Sequence, residues 1–188
     1  MIENLDAVVL AGGAATRMGG ADKPGLAVAG RTLLERVVDT VRAHAPSARV
    51  TVVGPERDSP SAHYVREDPP GGGPVPALEA GLPSVRAPWC ALLAADLPHL
   101  RPRHLEALHT AAQGRGGSVL VDATGRQQWL TGVWRTDVLR AALADYGGRS
   151  LHGLLEPLDP APVPASGDPE TFDVDTPEDL EEVRRRLR

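Results

Sequence analysis

One stretch narrows the folds open to this chain. The apolar run Asp6-Ala-Val-Val-Leu10 empties directly into Ala11-Gly12-Gly13-Ala14-Ala15-Thr16-Arg17-Met18-Gly19-Gly20-Ala21-Asp22-Lys23. Glycines leave backbone amides free to close around phosphate oxygens, and Arg17 and Lys23 add positive charge to the same concavity. A strand ending in such a loop predicts an anion grip at the carboxyl edge of a sheet. The spacing fits neither the Gly-Lys-Ser/Thr phosphate loop nor the G-x-G-x-x-G dinucleotide fingerprint. The plainer alternative is a glycine-rich turn with two solvent-facing cations.

Size and charge set further bounds. With 188 residues, 41% of them hydrophobic, the chain fills one core and is short for two, so residues 1–188 are read as a single domain. A formal charge of -5 argues against a nucleic-acid partner, which needs a broad basic face, so any anion site is local. Residues Met1 to Leu10 include Glu3 and Asp6 and lack the basic start of a signal peptide. No apolar run reaches the roughly 20 residues of a membrane span. The expectation is a cytoplasmic protein with no membrane partner. The lone Cys90 lies within Trp89-Cys90-Ala91-Leu92-Leu93 and reads as a small buried hydrophobe. Aromatics are only 3% of the chain, so Ala, Val and Leu must build the core.

Short apolar runs alternate with amphipathic stretches, the pattern of βα units around a mostly parallel sheet. Strands are expected at Ala7–Ala11, Val50–Gly54, His63–Val65, Cys90–Ala94, Ser118–Asp122 and Trp129–Trp134. Helices are expected from Thr32 to His44, along the Val75, Leu78, Leu82, Val85 stripe, after Pro102, and around Val138, Leu139 and Leu143. Five prolines between Pro157 and Pro169 read as a loop, or a loop with a short edge strand. Thr176 and Asp179 form a capping box with Pro177 at the first helical position, which starts a last helix.

Three groups of carboxylates are candidates for chemistry. Asp96 ends the run Cys90 to Ala95, at the strand edge where open α/β sheets bind ligands, and can hold Mg²⁺; a helix-capping role is the alternative. Asp173 and Asp175 alternate about Val174 just before a helix, which makes Asp175 a candidate to join Asp96 at the metal. Asp68, in Arg66-Glu67-Asp68-Pro-Pro-Gly-Gly-Gly-Pro74, can accept hydrogen bonds from a base or ribose, or simply lie in a surface loop. His99, His104 and His109 are spaced by five, which does not suit a helical zinc pair, and Ser150 lacks the surroundings of a hydrolase nucleophile.

Taken in order, Leu10-Ala-Gly-Gly, Arg17-Met18-Gly19, Asp22-Lys23, Glu67-Asp68-Pro-Pro-Gly-Gly-Gly-Pro74, Ala95-Asp96-Leu97-Pro98 and Asp175-Thr176-Pro177-Glu178-Asp179-Leu180 resemble the molybdenum-cofactor guanylyltransferase family. The resemblance implies a three-layer αβα Rossmann-like nucleotidyltransferase fold with a mostly parallel, mixed sheet. It also implies transfer of GMP from GTP to molybdopterin with release of pyrophosphate. On that likeness Leu10, Ala11, Gly12 and Gly13 line the guanine and phosphates, Arg17 and Lys23 neutralise the triphosphate, Asp68 contacts the nucleoside, and Asp96 binds Mg²⁺. A molybdoenzyme or another cofactor-biosynthesis protein is the implied partner. Two departures keep alternatives open. Asp173-Val174-Asp175 stands where the family often has Asn-x-Asn and is closer to the related cytidylyltransferases, while Gly12 favours room for a purine. Gln127-Gln128-Trp129-Leu130 replaces a Gln/His-Pro-Leu turn. A nucleotidyltransferase with another phosphorylated acceptor, and a nucleotide-binding regulator without catalysis, are the remaining readings.

Overall fold

The computed structural model describes residues 4–13, 20, 22–165 and 174–187. In chain order it contains β1 (Leu5–Leu10), β2 (Ala27–Val28), β3 (Arg31–Thr32), α1 (Leu33–His44), β4 (Val50–Val53), β5 (His63–Val65), α2 (Pro74–Gly81), β6 (Trp89–Ala94), α3 (Pro102–Ala112), β7 (Gly117–Val121), β8 (Gln127–Arg135), α4 (Thr136–Asp145), α5 (Leu151–Leu155), β9 (Ala161–Pro164) and α6 (Pro177–Arg186). Every expected strand is present, with ends moved by a residue or two.

Seven strands form one sheet in the order β5-β4-β1-β6-β8-β7-β9, and β2 pairs with β3 as a separate hairpin. β5, β4, β1 and β6 are parallel neighbours; β8 runs antiparallel to both β6 and β7, and β9 returns to a parallel pairing with β7. β8 alone opposes the common direction, so the sheet is mixed and mostly parallel.

Strand alternation sorts the apolar residues into two layers of core. Ala7, Val9, Ala91 and Leu93 face one side with Leu34, Val38 and Val41 of α1 and Leu105 and Leu108 of α3. Val8, Leu10, Cys90 and Leu92 face the other with Leu78 of α2, Leu139 of α4 and Leu151, Leu154 and Leu155 of α5. This is the expected three-layer αβα arrangement. The thiol of Cys90 is fully buried, and burial pushes its pKa up to about 12, so it is a packing group. A third cluster joins Val28 and Leu33 to Val174, Leu180 and Val183, seating α6 against the hairpin and the start of α1.

Local chemistry fixes the helix starts. Thr32 and Glu35 close a capping box on α1, and Thr176 and Asp179 close one on α6 with Pro177 in the first turn. The stripe expected through Val85 is divided: α2 stops at Gly81 and a single 3-10 turn covers Leu82–Ser84. Of the α4 stripe, Leu139 is buried while Val138 and Leu143 are only half-buried. The proline-rich stretch supplies β9 as an edge strand on β7. Proline costs little there, because one side of the strand has no partner to receive its missing N–H.

Candidate functional site

The winding of the sheet reverses beside β1. The chain passes through α1 to β4 on one side, then crosses through α2 to β6 on the other. In open α/β sheets the crevice outside the strand ends at such a reversal is where ligands bind. A cavity of about 530 Å³ lies there, lined by Leu10, Ala11, Gly12 and Gly13 leaving β1 and by Ala94, Ala95 and Asp96 leaving β6. Its volume is in the range of roughly 300–1,000 Å³ usual for small-molecule sites.

Both segments leave the sheet under hydrogen-bond control. The Ala11 N–H donates to the Val53 carbonyl at 2.8 Å and the Ala95 N–H to the Leu10 carbonyl at 3.1 Å. A second wall comes from the β5–α2 connection and the start of α2, with Glu67, Gly71, Gly73, Pro74 and Ala77, and Leu130 of β8 closes part of the rim. Gly73 precedes α2 with φ +96°, a conformation that a side chain would strain. Its bare Cα keeps the backbone at the cavity surface.

Lys23 joins the chemistry of this crevice. Its ammonium lies 3.0 Å from an Asp96 carboxylate oxygen and 3.0 Å from an oxygen of Asp175. Lys23 and Asp96 are about four-fifths buried at the side chain, while Asp175 is half exposed. Burial works against the lysine's charge, but attraction to Asp96, hydrogen bonds to Asp96 and Asp175, and attraction to Asp175 outweigh it and hold its pKa above the ordinary value. Lys23 is a cation in the lining of a cavity whose other walls are mainly small residues.

Asp175 is brought there by the cap of α6. The Asp179 carboxylate accepts from the backbone N–H of Asp175 at 3.1 Å and of Thr176 at 2.8 Å, and Thr176 Oγ1 accepts from the Asp179 N–H at 3.2 Å. Val174 is fully buried. The capping box therefore fixes the residue that reaches Lys23.

The structure brings Leu10, Ala11, Gly12, Gly13, Lys23 and Asp96 to one cavity and Asp175 to its lysine. Asp68 stands apart: it is exposed and does not line the cavity, whereas its neighbour Glu67 does. Glu67 is buried and accepts from the Gly71 N–H at 3.0 Å, bracing the glycine-rich connection. Two adjacent carboxylates look alike in sequence, and only the backbone path decides which one turns inward. Arg17 and Asp173 lie outside the described residues. Among the described residues no three His, Cys, Asp or Glu gather as a metal cluster. No helix among them is long and apolar enough to cross a membrane.

Comparison with known proteins bears on the family and the fold. Residues 7–161 match the MobA-like NTP transferase domain. A molybdenum cofactor guanylyltransferase from Rhodopseudomonas palustris strain BisB5 is 32% identical over 95% of this chain and 92% of its own length. Another from strain HaA2 is 36% identical, covering 94% and 89%. Among solved structures, a nucleotidyl transferase from Methanothermobacter superimposes with a TM-score of 0.78 at 22% identity, covering 99% of this chain and 98% of the other. The 2-C-methyl-D-erythritol 4-phosphate cytidylyltransferase of Thermus thermophilus gives 0.71 at 18% identity, with 99% of both chains covered. These last two share the fold. The domain match and the extended identity to the curated relatives establish that the chain belongs to the MobA-like NTP transferase family.

Proposed function

We propose that this protein transfers GMP from GTP to the terminal phosphate of molybdopterin, releasing pyrophosphate and forming the guanine dinucleotide of the cofactor. The observation that carries the reading is the Lys23 ammonium, held between Asp96 and Asp175 at the glycine-walled crevice. The relatives named molybdenum cofactor guanylyltransferase supply the choice of nucleotide and acceptor. GTP feeds the reaction, which fits a cytoplasmic enzyme whose product passes to a molybdoenzyme or another cofactor-biosynthesis protein.

In the proposed step a phosphate oxygen of molybdopterin attacks the α-phosphorus of GTP in line with the departing group. One P–O bond forms, the bond to pyrophosphate breaks, and the leaving anion takes the electron pair. The nucleophile is already an anion, so the protein supplies position and charge. Amides of Gly12 and Gly13 face the phosphates, Lys23 carries positive charge to them, and Arg17 is proposed as a second cation. Of the paired carboxylates 67 and 68, Glu67 borders the space a nucleoside would fill. Gly12, beside Glu67, has no side chain to take up that space, which favours a purine.

Mg²⁺ suits the donor set: Asp96 and Asp175 are hard oxygen ligands converging on one positive charge, and a two-carboxylate site leaves room for water and phosphate oxygens. When bound, the ion would neutralise charge on the triphosphate. Pyrophosphate release, measured with each of the four nucleoside triphosphates and molybdopterin, tests the reading. GTP should be preferred. Preference for CTP would move the protein to the cytidylyl reaction, and release only with another phosphorylated acceptor would replace molybdopterin.

A further inference from the structure

The connection between β4 and β5 meets the end of the glycine loop through one ion pair. Arg57 donates from Nη1 to Asp22 Oδ2 at 2.6 Å and from Nη2 to Asp22 Oδ1, a two-pronged contact between loops that leave neighbouring strands. Asp22 immediately precedes Lys23. Paired guanidinium–carboxylate contacts fix orientation as well as distance, unlike a single-point ion pair.

Three further observations separate this contact from an ordinary surface pair. The Arg57 side chain is only 20% exposed. Its own loop is tied to α1, because Ser59 donates to Glu35 Oε1 at 2.5 Å and Arg42 donates to the Ser61 carbonyl. The turn after Lys23 is also built around the pair. A Cβ at Gly25 would fall 2.3 Å from Asp22 Oδ2 and 2.9 Å from Arg57 Nη1, so residue 25 must be bare for the guanidinium to reach its partner. The Gly25 N–H donates to the Asp22 carbonyl at 3.1 Å and the Leu26 N–H to the Lys23 carbonyl at 3.1 Å, which closes the turn.

We propose that Arg57 is a positioning residue: by gripping Asp22 in the cleft left at Gly25, it locks the turn that aims Lys23 at the triphosphate. Arg57 does not line the cavity and acts through Asp22. The inference rests on Lys23 serving as the triphosphate cation. It assigns to the β4–β5 connection a part in positioning Lys23, although Arg57 itself does not line the cavity.

The test is a double-mutant cycle on the full chain with Arg57→Ala, Asp22→Asn and the pair, read by GTP titration, by kcat and by amide hydrogen exchange at Lys23, Gly25 and Leu26. Each single variant should bind GTP about tenfold more weakly, the loss expected for one charged hydrogen-bond contact, and the double should be no worse than either single. Exchange at Lys23, Gly25 and Leu26 should speed up without ligand, and Arg57→Lys should recover only part of the affinity. In a Lys23→Met background, Arg57→Ala should cost nothing further. Wild-type GTP affinity in Arg57→Ala, or additive losses in the cycle, would overturn the proposal while leaving the nucleotide reading intact. A wild-type protein that binds no nucleoside triphosphate would overturn both.

Discussion

Lys23 and Asp175 lie 152 positions apart in sequence and meet at 3.0 Å. The contact joins the loop after β1 to the residue just before the cap of α6, and Asp96, leaving β6, reaches the same ammonium. Three distant segments thus converge on one cation beside one cavity.

Asp96 is the carboxylate of the cavity lining that pairs with Lys23. Replacing it with Ala removes a preorganised charge and should cut turnover by a factor on the order of a hundred or more. Pyrophosphate release under saturating substrates checks this, and wild-type turnover would remove Asp96 from the catalytic machinery.

The α6 cap links stability to the site. Thr176→Ala removes one arm of the capping box and should cost about 1 kcal/mol in urea denaturation. Because the same cap holds Asp175, the variant should also lose activity beyond what its stability loss explains. A stable variant with unchanged kinetics would mean that the cap does not position Asp175.

Asp6 is a buried carboxylate whose work is structural. It accepts from the backbone N–H groups of Arg49 at 2.8 Å, Arg86 at 2.8 Å and Ala87 at 3.0 Å, tying the start of β1 to the approaches of β4 and β6. Asp6→Ala strands these donors and should lower stability by about 3 kcal/mol. The folded fraction should keep its affinity for GTP. A denaturation midpoint equal to wild type would show that water or backbone shifts replace the carboxylate.

A pair of histidines predicts sensitivity to acid. His44 and His109 pack edge to face between α1 and α3, with ring centroids 6.5 Å apart. Burial pushes both below the ordinary histidine value; Glu106 partly opposes this at His44, and the charge of His44 adds to it at His109. Between those lowered values and about pH 6.5 the unfolded chain binds protons that the folded chain refuses. Their contribution to stability is therefore complete above that window and lost as pH falls through it. The Tm of the wild type should decline across this interval more steeply than that of the double variant His44→Gln/His109→Gln. Equal slopes would contradict the assignment.

The sheet was legible because its strands are dense runs of Val, Leu and Ala bounded by turns, and a parallel sheet buried on both faces requires such runs. The hairpin of β2 and β3 was not. Its strands have two residues each, and its turn uses Ala29 at φ 49° before Gly30 at φ 76°, where the usual signal is Asn-Gly. α5 spans five residues, too few to show a helical period, although Ser150 caps it through the Gly153 N–H. Asp96 was legible from its place at a strand edge, and Lys23 as a cation closing a glycine-rich loop. The Arg57–Asp22 grip was not, because no local pattern says which surface arginine will find which carboxylate across two loops.

The most direct measurement is a crystal structure with a non-hydrolysable GTP analogue and Mg²⁺. The triphosphate should lie between the Gly12–Gly13 backbone and Asp96, with Lys23 Nζ within hydrogen-bond distance of a phosphate oxygen. Phosphates bound elsewhere, with Lys23, Asp96 and Asp175 untouched, would contradict it.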